Sequence, residues 1–131
     1  MAQRPVKRPV HRPKNLNLLT IRLPVPAVVS ILHRASGFIL FLLLPVMLWA
    51  LQQTLRSEEG FAYVQQVLGH PVSKLIMMLP IWAFWHHLCA GIRHLFIDYR
   101  FGMPLPQARW TAKLVLACSV LLTILSWIWL W

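Results

Sequence analysis

His87, Gly91 and His94 follow one another at intervals of four and three within HHLCAGIRHLFID, residues 86–98. On a helix this spacing puts two imidazoles and the bare backbone of a glycine on one face. The stretch begins inside an apolar run and ends at that run's charged edge, at Arg93 and Asp98. Polar residues inside a membrane helix are costly and are usually there for a function. Imidazole nitrogen is a common axial ligand for haem iron, and a glycine between two histidines clears space for a flat ligand to lie against the backbone. The chemistry these residues point to first is a haem site.

A second polar group, Ser30, His33, Arg34 and Gly37, is also spaced to share one helix face. Arg34 alone is explained as an anchor snorkelling to the headgroups. A hydroxyl, an imidazole and a guanidinium beside a glycine favour a ligand-facing role instead. A quinone in the bilayer offers carbonyl oxygens, and its reduction needs two electrons and two protons. Ser30 and Arg34 have the donors to bind a carbonyl oxygen and stabilise its developing charge. His33 titrates in the range required to relay protons.

The elements that hold these groups are long and apolar. Of 131 residues, 58% are hydrophobic and 12% charged, about half the charged fraction of a soluble domain. No Asp, Glu, Lys or Arg occurs from Ala35 to Leu55, Leu75 to Ile92 or Leu114 to Trp131. Each run is close to the roughly 20 residues that cross a bilayer as a helix. The expected fold is an all-α membrane protein with three transmembrane helices at about 27–55, 72–99 and 107–131. Residues 27–131 form one membrane domain, preceded by a basic, proline-rich cytoplasmic tail and interfacial segment at 1–26. That leaves no room for a separate catalytic domain. Pro24 and Pro26 suit a helix start, Pro45 and Pro80 are candidate bends, and Ser57 with Glu58 and Glu59 can open a short surface helix in the first connection. Trp82 and Trp85 lie too deep for an interfacial belt, so packing against helices or a cofactor is expected. Trp110 suits the inner interface, and Trp127, Trp129 and Trp131 the outer one.

The formal charge of +10 does not indicate nucleic acid, because the basic residues are placed as a topology signal. Arg4, Lys7, Arg8, Arg12, Lys14, Arg22 and Arg34 precede Ala35, and Arg93, Arg100, Arg109 and Lys113 surround the second connection. The N-terminus and that connection are therefore expected in the cytoplasm, with the C-terminus periplasmic. Cys89 and Cys118 lie in apolar runs and no C-x-x-C-H motif is present, so covalent haem attachment is unsupported. The N-terminal stretch does not read as a signal peptide.

At 1.5 Å per residue, His87 and His94 stand roughly 10 Å apart along the helix and cannot both ligate one iron. Counted from Asp98, His94 lies roughly 6 Å into the membrane and His87 roughly 16 Å, while His33 lies about 9 Å in from Ala27. His87 is deep enough for iron near mid-bilayer. His33 and Arg34 are expected level with His94, not with His87, where they can meet propionates or other polar groups. Asp98 can orient His94 or pair with Arg34. No second axial ligand remains, since His86 points about 100° away around the helix and His11 and His70 lie outside the spans. Six-coordinate iron would need a ligand from another polypeptide.

Two motifs then bear a resemblance. Ser-Ile-Leu-His-Arg-Ala-Ser-Gly at 30–37 resembles the first-helix signature of the cytochrome b subunits of succinate dehydrogenase. His87 to Asp98 fits the second-helix signature, H-x-x-x-G-I-R-H-x-x-x-D. The resemblance covers nearly all of the chain after the tail. It implies a membrane anchor of respiratory complex II in a bacterial inner membrane, with a mitochondrial inner membrane the lesser alternative. It further implies one haem b shared with a second small membrane subunit, with FAD and iron–sulfur clusters confined to the flavoprotein and iron–sulfur partners. By motif position, His87 is the axial ligand and His33, Arg34 and His94 lie near the propionates. Ser30 and Arg34 fall at the ubiquinone site, with Gly37, Gly91 and Asp98 in support. His86, directly before the ligand position, departs from the expected pattern, as does the long basic tail. The competing reading is a structural membrane anchor whose histidines pack between helices without haem or quinone.

Overall fold

The computed structural model describes residues 21–100 and 104–130. The basic tail, with His11, and the outermost tryptophan, Trp131, lie outside the described residues. The described residues form four helices in order: α1 (Val25–Arg56), α2 (Glu58–Gly69), α3 (Pro71–Asp98) and α4 (Leu105–Leu130). Three of them, of 32, 28 and 26 residues, are long and apolar enough to cross a membrane. Their limits fall within two residues of the expected spans.

Local chemistry accounts for the ends. Pro24 caps α1 and Pro26 stands in its first turn, where a missing N–H leaves nothing unpaired. Ser57 opens α2 by accepting a hydrogen bond from the Gly60 N–H at 3.0 Å. Glu58 and Glu59 follow in the first turn, at the positive end of the helix dipole. Gly60 is needed there, because a Cβ would run into the Gln53 carbonyl oxygen of α1. The His70 ring caps α3 by accepting from the Val72 N–H at 3.2 Å. Both α1 and α3 continue through their internal prolines, Pro45 and Pro80.

α3 lies between α1 and α4, and α2 packs back on α1. The fully buried residues are mostly small: Val29, Ser36, Ala83, Ala90, Ala112 and Ser119 are inaccessible to solvent. Small side chains let membrane helices approach closely, which is where their association energy arises, since lipid supplies no hydrophobic drive between helices. Large apolar residues such as Phe41, Leu48 and Trp129 face outward, as expected of helices solvated by lipid tails or by another apolar chain.

Directional bonds join α3 to α4 along their whole length. Lys74 Nζ donates to the Leu130 carbonyl at 3.3 Å, at the negative end of the α4 dipole. Trp85 Nε1 donates to Ser126 Oγ at 2.8 Å. At the other end, Arg93 Nε reaches Thr111 Oγ1 at 3.1 Å and a terminal guanidinium nitrogen reaches the Ala108 carbonyl at 3.2 Å. Arg93 is thus buried in the α3–α4 seam. Trp85 belongs to the same seam, so its depth reflects packing within the chain.

Candidate functional site

Where α1 crosses α3, three imidazoles meet. The His33 and His87 rings stack with centroids 4.2 Å apart and planes 12° from parallel. His94 stands on the other side of His33, with centroids 5.1 Å apart and planes tilted by 55°. Each of the three is half-buried, so the cluster opens on the flank of the helix bundle and not into its core.

His87 is held from behind. Its Nδ1 lies 3.1 Å from the His33 carbonyl oxygen, an acceptor only, so Nδ1 carries the proton and donates. The Ser36 hydroxyl donates to the same oxygen at 2.9 Å, and its Oγ lies 3.4 Å from His87 Nδ1. In the neutral ring this arrangement puts the proton on Nδ1 and the lone pair on Nε2. Metal-binding imidazoles characteristically have their other nitrogen tied to a carbonyl or carboxylate in this way. Gly37 completes the backing. A Cβ there would come within 2.8 Å of His87 Cε1 and 3.2 Å of Nδ1, closer than side chains pack.

Gly91 has a looser neighbour: a Cβ there would meet only His33 Nε2, at 3.5 Å. His33 thus lies against Gly91, between His87 and His94. His33 is thus beside His94 as expected, and the expectation that it is not level with His87 is corrected by the stacking of the two rings. Depth counted on the backbone ignores the reach of the ring, and His33 spans the gap with its ring on one side and its carbonyl on the other.

The remaining expected residues stand further off. Arg34 and Asp98 are exposed and Ser30 is half-buried. Among the described residues no hydrogen bond or ion pair joins Asp98 to His94 or Arg34, or Ser30 to the imidazoles. Among the described residues, Asp98 therefore orients neither His94 nor Arg34. No cluster of three or more His, Cys, Asp or Glu among the described residues is placed to hold a metal ion.

Ser36 lies about 120° round the helix from Ser30 but three residues from His33, and the packing of α1 on α3 brings its Oγ to His87. The His86 ring points away from the cluster and is completely buried, stacked on Trp82 with centroids 5.2 Å apart. Its Nδ1 is 3.4 Å from Ser119 Oγ on α4.

Residues 8–126 match the profile of the succinate dehydrogenase/fumarate reductase transmembrane subunit family. The chain is 39% identical over 121 residues to the succinate dehydrogenase cytochrome b556 subunit of Coxiella burnetii, covering 92% of this chain and 97% of that one. It is 34% identical over 116 residues to the cytochrome b556 subunit of Paracoccus denitrificans, covering 88% and 89%. The mitochondrial cytochrome b560 subunit of Dictyostelium discoideum is 31% identical over 124 residues, covering 90% of this chain and 62% of that protein.

Proposed function

The chain belongs to the family of transmembrane subunits of succinate dehydrogenase and fumarate reductase, and from that premise we propose that it anchors a complex II, binds one haem b with a second membrane subunit and helps to form the ubiquinone site. The observation that carries the haem reading is the hydrogen bond from His87 Nδ1 to the His33 carbonyl, which leaves Nε2 free to act as the axial donor. Haem, when bound, supplies a one-electron carrier. The flank position of the cluster supports sharing, because a half-buried imidazole is reachable by a neighbouring helix. His33, His94 and Arg34 are the cationic or donor groups on the same flank suited to propionate carboxylates.

Ser30 and Arg34 bind the ubiquinone carbonyl in this reading. The guanidinium opposes the negative charge that grows on oxygen as electrons arrive, and His33 passes protons from the inner side. Basic residues gather where α1 begins and α3 gives way to α4, at Arg22, Arg100, Arg109 and Lys113. By the positive-inside rule this end is cytoplasmic and the C-terminus periplasmic, in a bacterial inner membrane. The flavoprotein, with FAD, and the iron–sulfur subunit dock at the cytoplasmic end.

Isolation of the tagged chain from membranes tests the assignment. A b-type absorption band on reduction is expected, together with co-purifying flavin-containing, iron–sulfur and second membrane subunits. A colourless preparation would favour the structural anchor without haem or quinone. A finer test uses Gly37. Gly37→Ala forces the His87 ring from its backing, and haem content is expected to fall a few-fold, with Gly37→Val worse. Equal haem in all three proteins would show that the ring gives way freely.

A further inference from the structure

Among the described residues, His86 is the largest side chain that is completely inaccessible. Burying an imidazole in a membrane helix is unfavourable unless its nitrogens are paired, and here one of them is not. The Ser119 hydroxyl already donates to the Leu116 carbonyl at 3.0 Å, so its oxygen lone pair is what faces His86 Nδ1 at 3.4 Å. Nδ1 is therefore placed to donate to Ser119, and Nε2 is buried with no partner in hydrogen-bonding geometry, although the ring also lies against the Val29 backbone of α1. A leucine of similar volume would fill the space without an orphaned nitrogen. The imidazole must contribute something that apolar packing does not.

What packing lacks here is direction. Around its middle α3 is apolar on nearly every side, with Leu79, Ile81, Phe84, Leu88 and Ile92 distributed about the helix. Lipid and neighbouring helices are equally apolar, so contact area alone sets the rotation of α3 only weakly. A rotation of about 20° would carry a ring at the helix surface through about 2 Å, enough to break the 3.1 Å bond from His87 to the His33 carbonyl. His86 is adjacent to His87 and points about 100° round the helix, toward α4. Trp85–Ser126 and Arg93–Thr111 hold α3 to α4 on either side, and the bond at His86 adds to them the constraint closest to His87.

We propose that His86 is a positioning residue: its bond to Ser119 of α4, backed by the Trp82 stack, sets the rotation of α3 and so aims His87 at the haem site. The bond acts through His87, so the proposal rests on His87 as the axial ligand. It concerns a residue that lies just outside the second-helix signature, which begins at His87.

The experiment uses the whole complex isolated with its partner subunits, comparing His86→Leu, His86→Asn and Ser119→Ala with the parent and with His87→Ala. Asparagine places an amide N–H one bond beyond Cγ, as Nδ1 is placed, and so keeps the donor while losing the ring. The readouts are haem per complex and the low-spin electron paramagnetic resonance signal of the haem that remains bound. A merely destabilising change lowers yield without altering that signal. Expected are a parent-like signal for His86→Asn, and for His86→Leu and Ser119→Ala a displaced signal with haem content down at least threefold. A parent-like signal in His86→Leu overturns the proposal, as does a loss in His86→Asn as severe as in His86→Leu. If Ser119→Ala alone remains parent-like, Ser119 is not the anchor and the proposal also fails. If His87→Ala keeps its haem, the ligand assignment fails instead, and loss in His86→Leu under that condition would identify His86 as the ligand.

Discussion

Replacing His87 with alanine is expected to abolish the b-type band of the reduced complex, with haem content at least about tenfold lower. The change removes an imidazole whose Nδ1 is committed to a backbone carbonyl and whose Nε2 is therefore free to ligate. The neighbouring rings are poorly placed to replace it. His94 lies roughly 10 Å along the helix, and His86 is enclosed between α3 and α4. His33, stacked 4.2 Å from His87, is the nearest substitute. Its Nε2 lies against Gly91, so residual binding there would shift the band and not preserve it. An unchanged spectrum in the mutant would remove His87 as the ligand. Assembly of the subunits should survive, because the polar contacts that join α3 to α4 do not involve His87.

Arg34→Ala is expected to lower ubiquinone reduction roughly 10- to 100-fold, as the loss of a charge-assisted hydrogen bond to a developing anion would. Succinate oxidation with a soluble acceptor should continue at the parent rate, since the proposed function places that chemistry on a flavoprotein partner. Ser30→Ala should act in the same direction and more weakly, because it removes a neutral donor. Arg34 is exposed and has no bond to the imidazole cluster among the described residues, so its loss should leave the fold intact. The split between the two assays is the discriminating feature. Parent-like quinone kinetics in both variants would defeat the assignment, and equal loss in both assays would point to failed assembly.

Much of the architecture was legible in the residue order. The charge-free runs ending near Leu55, Ile92 and Trp131 announce the three spans, because a bilayer core excludes ions over a fixed thickness. Pro24 and Pro26 mark the start of α1, and Ser57 with its two glutamates opens α2, since caps are local chemistry. The shared face of His87, Gly91 and His94 follows from the helical repeat alone.

Other features depend on how one helix meets another. Arg93 reads as one more inner-edge cation in the sequence, yet it is buried against Thr111 and Ala108. Ser36 lies off the counted face of α1 and still reaches His87. His33 looks nearest His94 by depth but stacks on His87. The two adjacent histidines are chemically identical in the sequence, and only the packing of α3 between α1 and α4 separates a half-buried donor from an enclosed one. The order of residues determined which segments become membrane helices and which side chains share a face, because those depend on composition and a fixed repeat. Rotation and register between helices were decided by the tertiary structure, through small-residue contacts and a few directional bonds that join residues more than 30 positions apart, such as His86 and Ser119.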